Sequence, residues 1–210
     1  MESTRFEFEV EELTLVGILK KPDINSNTAV ILLHPHPLYG GDMNNHVVRE
    51  MESLFLNLGY TTLRFDFRGT QSHPKAFSGI SGATKDVDEA AIALEDRGIS
   101  INGVIGYSFG GSTTLRFASK KSLNFIITLS ASYTLLCENE YHSNELSSIK
   151  CPVLMFHGIS DDMVPFMDMN SISQLLTCPV KLVGLDQENH FYQQSLDLVK
   201  DEIRTFINSM

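Results

Sequence analysis

The sequence predicts an α/β sandwich: a mostly parallel sheet with helices on both faces and an antiparallel hairpin at its N-terminal edge. Three observations predict it. Short apolar runs such as Ala29-Val-Ile-Leu-Leu33 fit strands covered on both faces, and they alternate with segments of helical periodicity. Ahead of them, residues 5–10 place Phe6, Phe8 and Val10 on one side of an extended chain, and residues 13–19 follow as a hairpin partner. The 210 residues carry no repeat, linker or low-complexity tract, so a single domain spanning 1–210 is expected.

The elements follow in order. After a polar turn at 22–28, the strand at 29–33 runs into His34-Pro35-His36-Pro37-Leu38-Tyr39-Gly40-Gly41. Asp42 or Asn44 can then cap a helix reaching about residue 58, with Val47, Val48, Met51, Leu54, Phe55 and Leu58 inward, and Gly59 stops it. A strand at 60–67 closes with Arg68-Gly69. A loop at 71–82 precedes a helix at 84–97, with Val87, Ala90, Ala91 and Leu94 inward and acids outward. Next come a buried strand from 101, a helix through Arg116, and a strand at 125–129. Residues 130–150 read as irregular, with at most a short helix. A strand at 153–156, a helix at 167–176, a strand at 180–185 and an amphipathic helix at 195–207 complete the chain.

Composition narrows the function. The net charge is −10 and no basic run occurs, so the cationic footprint of a nucleic-acid binder is missing. No apolar run reaches about 18 residues, the length that a membrane span requires. The acidic, alternating N-terminus has the character of neither a signal nor a transit peptide. Cys137, Cys151 and Cys178 are odd in number and outside metal spacing, which points to reduced thiols and a cytoplasmic protein.

The most informative stretch is 101–116. Between its strand and its helix sits Gly106-Tyr107-Ser108-Phe109-Gly110, a G-x-S-x-G pattern. A serine at a sharp strand-to-helix turn holds its hydroxyl clear of the chain, and the flanking glycines remove side chains that would collide there. The plain alternative is a serine that only caps the helix. A nucleophilic serine needs a base within hydrogen-bond reach, and that base needs a carboxylate to orient it. Downstream, His190 lies in a polar loop, Gln187-Glu188-Asn189, that argues against burial in apolar surroundings, while His157 closes a strand and suits a structural role. For the acid, Asp161 and Asp162 compete in His157-Gly-Ile-Ser-Asp-Asp-Met-Val-Pro165; motif position favours Asp161, with Asp162 free to cap the next helix. In parallel α/β sheets, ligands bind where loops leave the carboxyl ends of the strands, and His34/His36, Ser108, Asp161 and His190 all fall at such ends.

A tetrahedral intermediate needs two N–H donors. Phe109, next after the nucleophile, is one; in the 34–37 loop Pro35 and Pro37 have no N–H, which leaves His36 as the other. A metal on His34 and His36 is not expected, because no third ligand stands at a recognised spacing, and no cofactor is implied.

Gly-Tyr-Ser-Phe-Gly-Gly, His-Gly-Ile-Ser-Asp-Asp-Met-Val-Pro and Glu-Asn-His-Phe, with the HPHPLYGG loop and the FDFRG strand end, together resemble the α/β-hydrolase superfamily. Within it the chain is similar to small capless hydrolases, related to dienelactone hydrolases, that carry an HPHPxxGG loop. The resemblance runs from Ala29 to the C-terminus. It implies an eight-stranded sheet with an antiparallel second strand, a Ser108-His190-Asp161 triad, and oxyanion donors at His36 and Phe109. Dienelactone hydrolases proper use cysteine at the elbow; Ser108 departs from that, and their lactone substrate is not carried over. Many members insert a large cap after the strand that here ends near Leu129; residues 130–150 are too few for one, so an open site is expected. Leu38, Tyr39, Phe77, Tyr133, Met163 and Phe191 fall in rim segments that suit an acyl or alkyl group, though packing is the commoner fate of such residues. The expected activity is hydrolysis of carboxylic esters or thioesters of small acyl substrates. A peptidase or amidase using the same triad, and a non-catalytic protein that binds a small molecule or a partner, remain as alternatives.

Overall fold

The computed structural model describes residues 2–24, 26–138 and 143–210. Asn25 in the expected turn and residues 139–142 of the expected irregular stretch lie outside them. The N-terminal hairpin pairs β1 (Glu2–Val10) with β2 (Leu13–Lys21), burying Phe6, Phe8 and Val10 while Glu7 and Glu9 face solvent. Six further strands follow: β3 (Thr28–Leu33), β4 (Thr61–Phe65), β5 (Ser100–Tyr107), β6 (Phe125–Leu129), β7 (Val153–Gly158) and β8 (Val180–Leu185). They form one eight-stranded sheet in the order β1-β2-β4-β3-β5-β6-β7-β8. β2 is antiparallel to both its neighbours, and every pair from β4 to β8 is parallel.

The helices are α1 (His46–Asn57), α2 (Gly79–Glu95), α3 (Phe109–Ala118), α4 (Tyr133–Leu136), α5 (Met167–Ser173) and α6 (Leu196–Asn208). Alternation along the strands sorts their packing. Ile31, Leu33, Val104, Ile126 and Met155 join α2, α3 and α5 in one core. Val30, Leu32, Ile105, Ile127 and Leu154 join α1 and α6 in the other. This two-sided burial is why the central strands are apolar without interruption. Each side chain so buried contributes about 1.5–3 kcal/mol.

The structure departs from the sequence expectations at several boundaries. β4 ends at Phe65, although the Asp66 N–H still bonds to Val16 O of β2 at 3.1 Å. α1 is capped by neither Asp42 nor Asn44: Asn45 accepts from Val47 N–H, while Asn44 Oδ1 takes a bond from Arg64. α2 begins at Gly79, because Ile80 and Ala83 extend the inward face of Val87 into a stretch whose glycines and serines read as loop. Gly82 is required there, since a Cβ would stand 2.0 Å from Ser78 Oγ and 2.9 Å from the Arg68 side chain. Nor are all the acids of α2 outward. Asp86 is fully buried, where it binds the Arg68 N–H at 2.9 Å and the Arg68 Nε at 2.8 Å. This pair clamps the chain leaving β4 onto α2. α5 stops at Ser173, short of the expected 176.

Candidate active site

Ser108 joins β5 to α3 with φ 55° and ψ −116°, a left-handed backbone that an L side chain adopts only under constraint. Two glycines make the turn sterically accessible. A Cβ on Gly106 would meet the Gly110 carbonyl oxygen at 2.1 Å, and one on Gly110 would meet the Leu33 and His34 carbonyl oxygens at 2.4 and 2.7 Å. The second contact seats the loop after β3 directly on the elbow. The Ser108 hydroxyl makes no capping bond to α3, so the plain reading of the serine as a helix cap does not hold. Its Oγ lies 3.0 Å from His190 Nε2 instead.

His190 follows β8, and its Nδ1 is 2.7 Å from Asp161 Oδ2. A carboxylate only accepts, so Nδ1 carries the proton and Nε2 faces Ser108 as an acceptor. The carboxylate of Asp161 is saturated. Oδ1 accepts from Met163 and Val164 N–H at 3.0 and 2.9 Å, and Oδ2 also accepts from Ser130 Oγ at 2.8 Å. Burial pushes its pKa upward, but the bonds from His190, Val164 and Ser130 outweigh that and hold it below the ordinary value. Asp161 therefore both caps its own turn and fixes the imidazole. Asp162 does neither: it is exposed, and α5 has no side-chain cap. His157 has the structural part expected of it, with Nε2 donating to Val164 O at 3.0 Å and burial lowering its pKa.

The expectation that the polar setting of His190 argues against burial in apolar surroundings is corrected. It is buried, with its ring 5.4 Å from that of Tyr107 and 5.9 Å from that of Phe191. Its loop is held from three sides. The Tyr107 hydroxyl donates to His190 O at 2.6 Å, and His46 Nε2 donates to Phe191 O at 2.8 Å. Glu188, fully buried, accepts N–H bonds from Asn189, Gln193, Gln194 and Ser195. Sequence reasoning missed Ser130, Tyr107, Glu188, Tyr192 and His46. Only Tyr107, inside the G-x-S-x-G pattern, and Glu188, inside Glu-Asn-His-Phe, had any signal.

The loop after β3 is pinned by His34, which is fully buried. Its Nδ1 donates to Pro35 O at 2.6 Å and its Nε2 accepts from Phe67 N–H at 3.0 Å, so both nitrogens are engaged within the protein. Burial lowers its pKa to about 4. The His36 ring is half-buried among Tyr39, Phe77 and Phe109, at 4.8, 5.0 and 4.9 Å between centroids. Around the site Leu38, Tyr39, Met163 and Phe191 are exposed. Tyr133 and Phe77 are half-buried against the core of α2 and α3, and Tyr133 N–H is held by Asp168.

An eight-stranded sheet with its second strand antiparallel, and a strained serine at the turn from the central strand into a helix, define an α/β hydrolase. The chain belongs to the dienelactone hydrolase family, whose model matches residues 15–184. Solved structures carry the same architecture. A putative α/β hydrolase from Agrobacterium tumefaciens is 25% identical, with 98% of this chain and 95% of that one covered and a TM-score of 0.85. An α/β serine hydrolase homologue from Coxiella burnetii is 24% identical over 97% and 96% of the two chains, at 0.84. A serine hydrolase without a lid from Xanthomonas campestris is 21% identical over 99% and 94%, also at 0.84. The protein is thus a hydrolase. Among the described residues no helix is long and apolar enough to cross a membrane.

Proposed function

We propose that the protein is a cytoplasmic serine hydrolase that cleaves carboxylic esters or thioesters of small acyl substrates, with Ser108, His190 and Asp161 as its triad. The observation that carries this reading is the unbroken run from Ser108 Oγ to His190 Nε2 at 3.0 Å and from His190 Nδ1 to Asp161 Oδ2 at 2.7 Å.

In the first half-reaction His190 Nε2 takes the Ser108 proton as Oγ bonds to the acyl carbon. The oxyanion that forms is received by the main-chain N–H groups of His36 and Phe109, the latter at the N-terminus of α3, where the helix dipole favours negative charge. Collapse breaks the bond to the alcohol or thiol, which leaves with the proton held on His190. In the second half His190 deprotonates water, the hydroxide attacks the acyl-enzyme, and the acid departs as Ser108 regains its proton. Asp161 keeps Nδ1 protonated and stabilises the imidazolium in both halves. Leu38, Tyr39, Met163 and Phe191 offer an apolar rim to the acyl or alkyl group, and the short segment between β6 and β7 leaves that rim open.

The test is intact-mass spectrometry after incubation with a fluorophosphonate, for wild type beside Ser108→Ala. One adduct on the wild type and none on the variant supports an activated serine, and a panel of esters and thioesters graded by acyl length then defines the substrate. A wild type that takes no adduct removes the reading in favour of a hydrolase-like binding protein.

A further inference from the structure

Among the described residues five non-glycines have a left-handed φ, and they include Ser108 of the triad (55°), Ser130 (47°) and Tyr192 (53°). Strain of this kind persists only where surrounding contacts enforce it. For Ser108 the enforcing contacts belong to the elbow. Ser130 and Tyr192 meet at the Ser130 hydroxyl, which in turn reaches Asp161 Oδ2.

Ser130 directly follows β6, with its N–H tied to Phe156 O at 2.9 Å on the neighbouring β7. Its side chain is fully buried, and Oγ lies 2.8 Å from Asp161 Oδ2 and 3.0 Å from the Tyr192 hydroxyl. The carboxylate can only accept, so the Ser130 proton goes to Asp161 and the Tyr192 proton to Ser130 Oγ. Burial raises the Tyr192 pKa well above its usual range, which keeps the phenol a donor at any working pH. A chain of hydroxyls therefore ends on the same carboxylate oxygen that His190 Nδ1 touches.

We propose that Ser130, fixed by Tyr192, is a positioning residue that sets how much of the Asp161 negative charge reaches His190. The proposal rests on the triad reading given above. A hydrogen bond into Oδ2 draws charge away from the imidazole; removing it leaves a more basic carboxylate beside Nδ1 and stabilises the imidazolium. The acid limb of Ser108 reactivity should then move to higher pH. The other groups facing this pair are unchanged by the substitutions: His157 at 3.5 Å from Asp161 Oδ2, Tyr107 on the His190 carbonyl, and Glu188 beneath the loop.

The experiment uses Ser130→Ala and Tyr192→Phe beside wild type. Ser130→Ala strands no buried donor, because Phe156 O stands 3.4 Å from the Tyr192 hydroxyl as a second acceptor. The rate of fluorophosphonate adduct formation is followed from pH 5 to 9, with melting temperature alongside. In Ser130→Ala the acid limb is expected to rise by about half a unit, with a smaller shift of the same sign in Tyr192→Phe. An unmoved limb in both variants, with rate lost only as melting temperature is lost, overturns the proposal and leaves Ser130 a structural strut. If the wild type takes no adduct, the serine-hydrolase reading fails by itself. The His190 ring titrated by NMR then decides the question, and equal midpoints in wild type and Ser130→Ala overturn the positioning role.

Discussion

Glu188→Gln separates the charge of a buried carboxylate from its shape. In the wild type, Oε1 accepts from Asn189 and Gln193 N–H at 3.1 and 3.2 Å, and Oε2 from Gln194 and Ser195 N–H at 2.9 and 2.6 Å. An amide of the same size keeps one acceptor oxygen, so one pair of N–H groups survives as ordinary bonds. The other pair meets an NH2 group, donor against donor, beside a carboxyl position that is itself buried. Bonds to a charged acceptor are worth about 1.5–3 kcal/mol each, so the loss of two of them should cost about 3–6 kcal/mol. That is a large part of the roughly 5–15 kcal/mol that holds a typical domain folded. Equilibrium urea unfolding reads the difference, and an unchanged slope would place the effect on stability and not on compactness. Adduct formation at Ser108 should fall more than the folded fraction does, because residues 189–195 carry His190. A variant within about 1 kcal/mol of wild type would refute the reasoning, since it would mean that the N–H groups find equal partners without the charge.

Three further outcomes are expected. His34 is held neutral by burial, its pKa lowered from 6.5 to about 4. Below pH 6.5 the unfolded chain takes up a proton that the folded one refuses, so its contribution is complete above about 6.5 and is lost progressively down to about 4, by up to about 3 kcal/mol. Urea midpoints across that window should flatten in His34→Gln relative to wild type. Asp161→Asn should lower kcat/KM on whichever ester proves active by about 10³–10⁴-fold, as loss of the orienting carboxylate does elsewhere, whereas Asp162→Asn should leave it unchanged. Gly110→Ala forces a Cβ to within 2.4 Å of the Leu33 carbonyl oxygen, so the 34–41 loop must move off the elbow; adduct formation should drop at least tenfold, and a crystal structure of the variant would display the displacement.

What the sequence made legible depended on how local the cause was. β3, β5 and β6 were readable because burial on both faces leaves an unbroken apolar run. The elbow was readable because its glycines are forced by contacts a few residues away, as Gly106 against Gly110 is. The placement of Asp161 and His190 in the loops after β7 and β8 was readable because each follows an apolar run in a recognisable string. The groups that hold them were not. Ser130 meets Asp161 across 31 positions and Tyr192 across 62, and neither residue type is unusual for a loop. Glu188 looked like part of a solvated polar run, yet it is the carboxylate around which that run folds. Asp86 sits beside the inward Val87 and would be assigned to solvent on periodicity alone; only the buried Arg68 across from it makes the inside the better place. α2 began five residues early for the same reason, since its first turn is stabilised by what it packs on and not by its own helix propensity.

The position of β8 bears on how the protein fails under stress. It is hydrogen-bonded on one side only, to β7, and Lys181, Leu182 and Gly184 along it are exposed. Opening it requires little buried apolar area to be given up, while β3, β5 and β6 remain covered on both faces. His190 lies in the loop that leaves its end. On warming or in mild denaturant, the imidazole should be withdrawn from Ser108 while the bulk of the sheet is still intact, so hydrolysis ceases before circular dichroism changes. Such an edge would act as a fuse: an early break that parts the imidazole from Ser108 while the rest of the molecule stays folded.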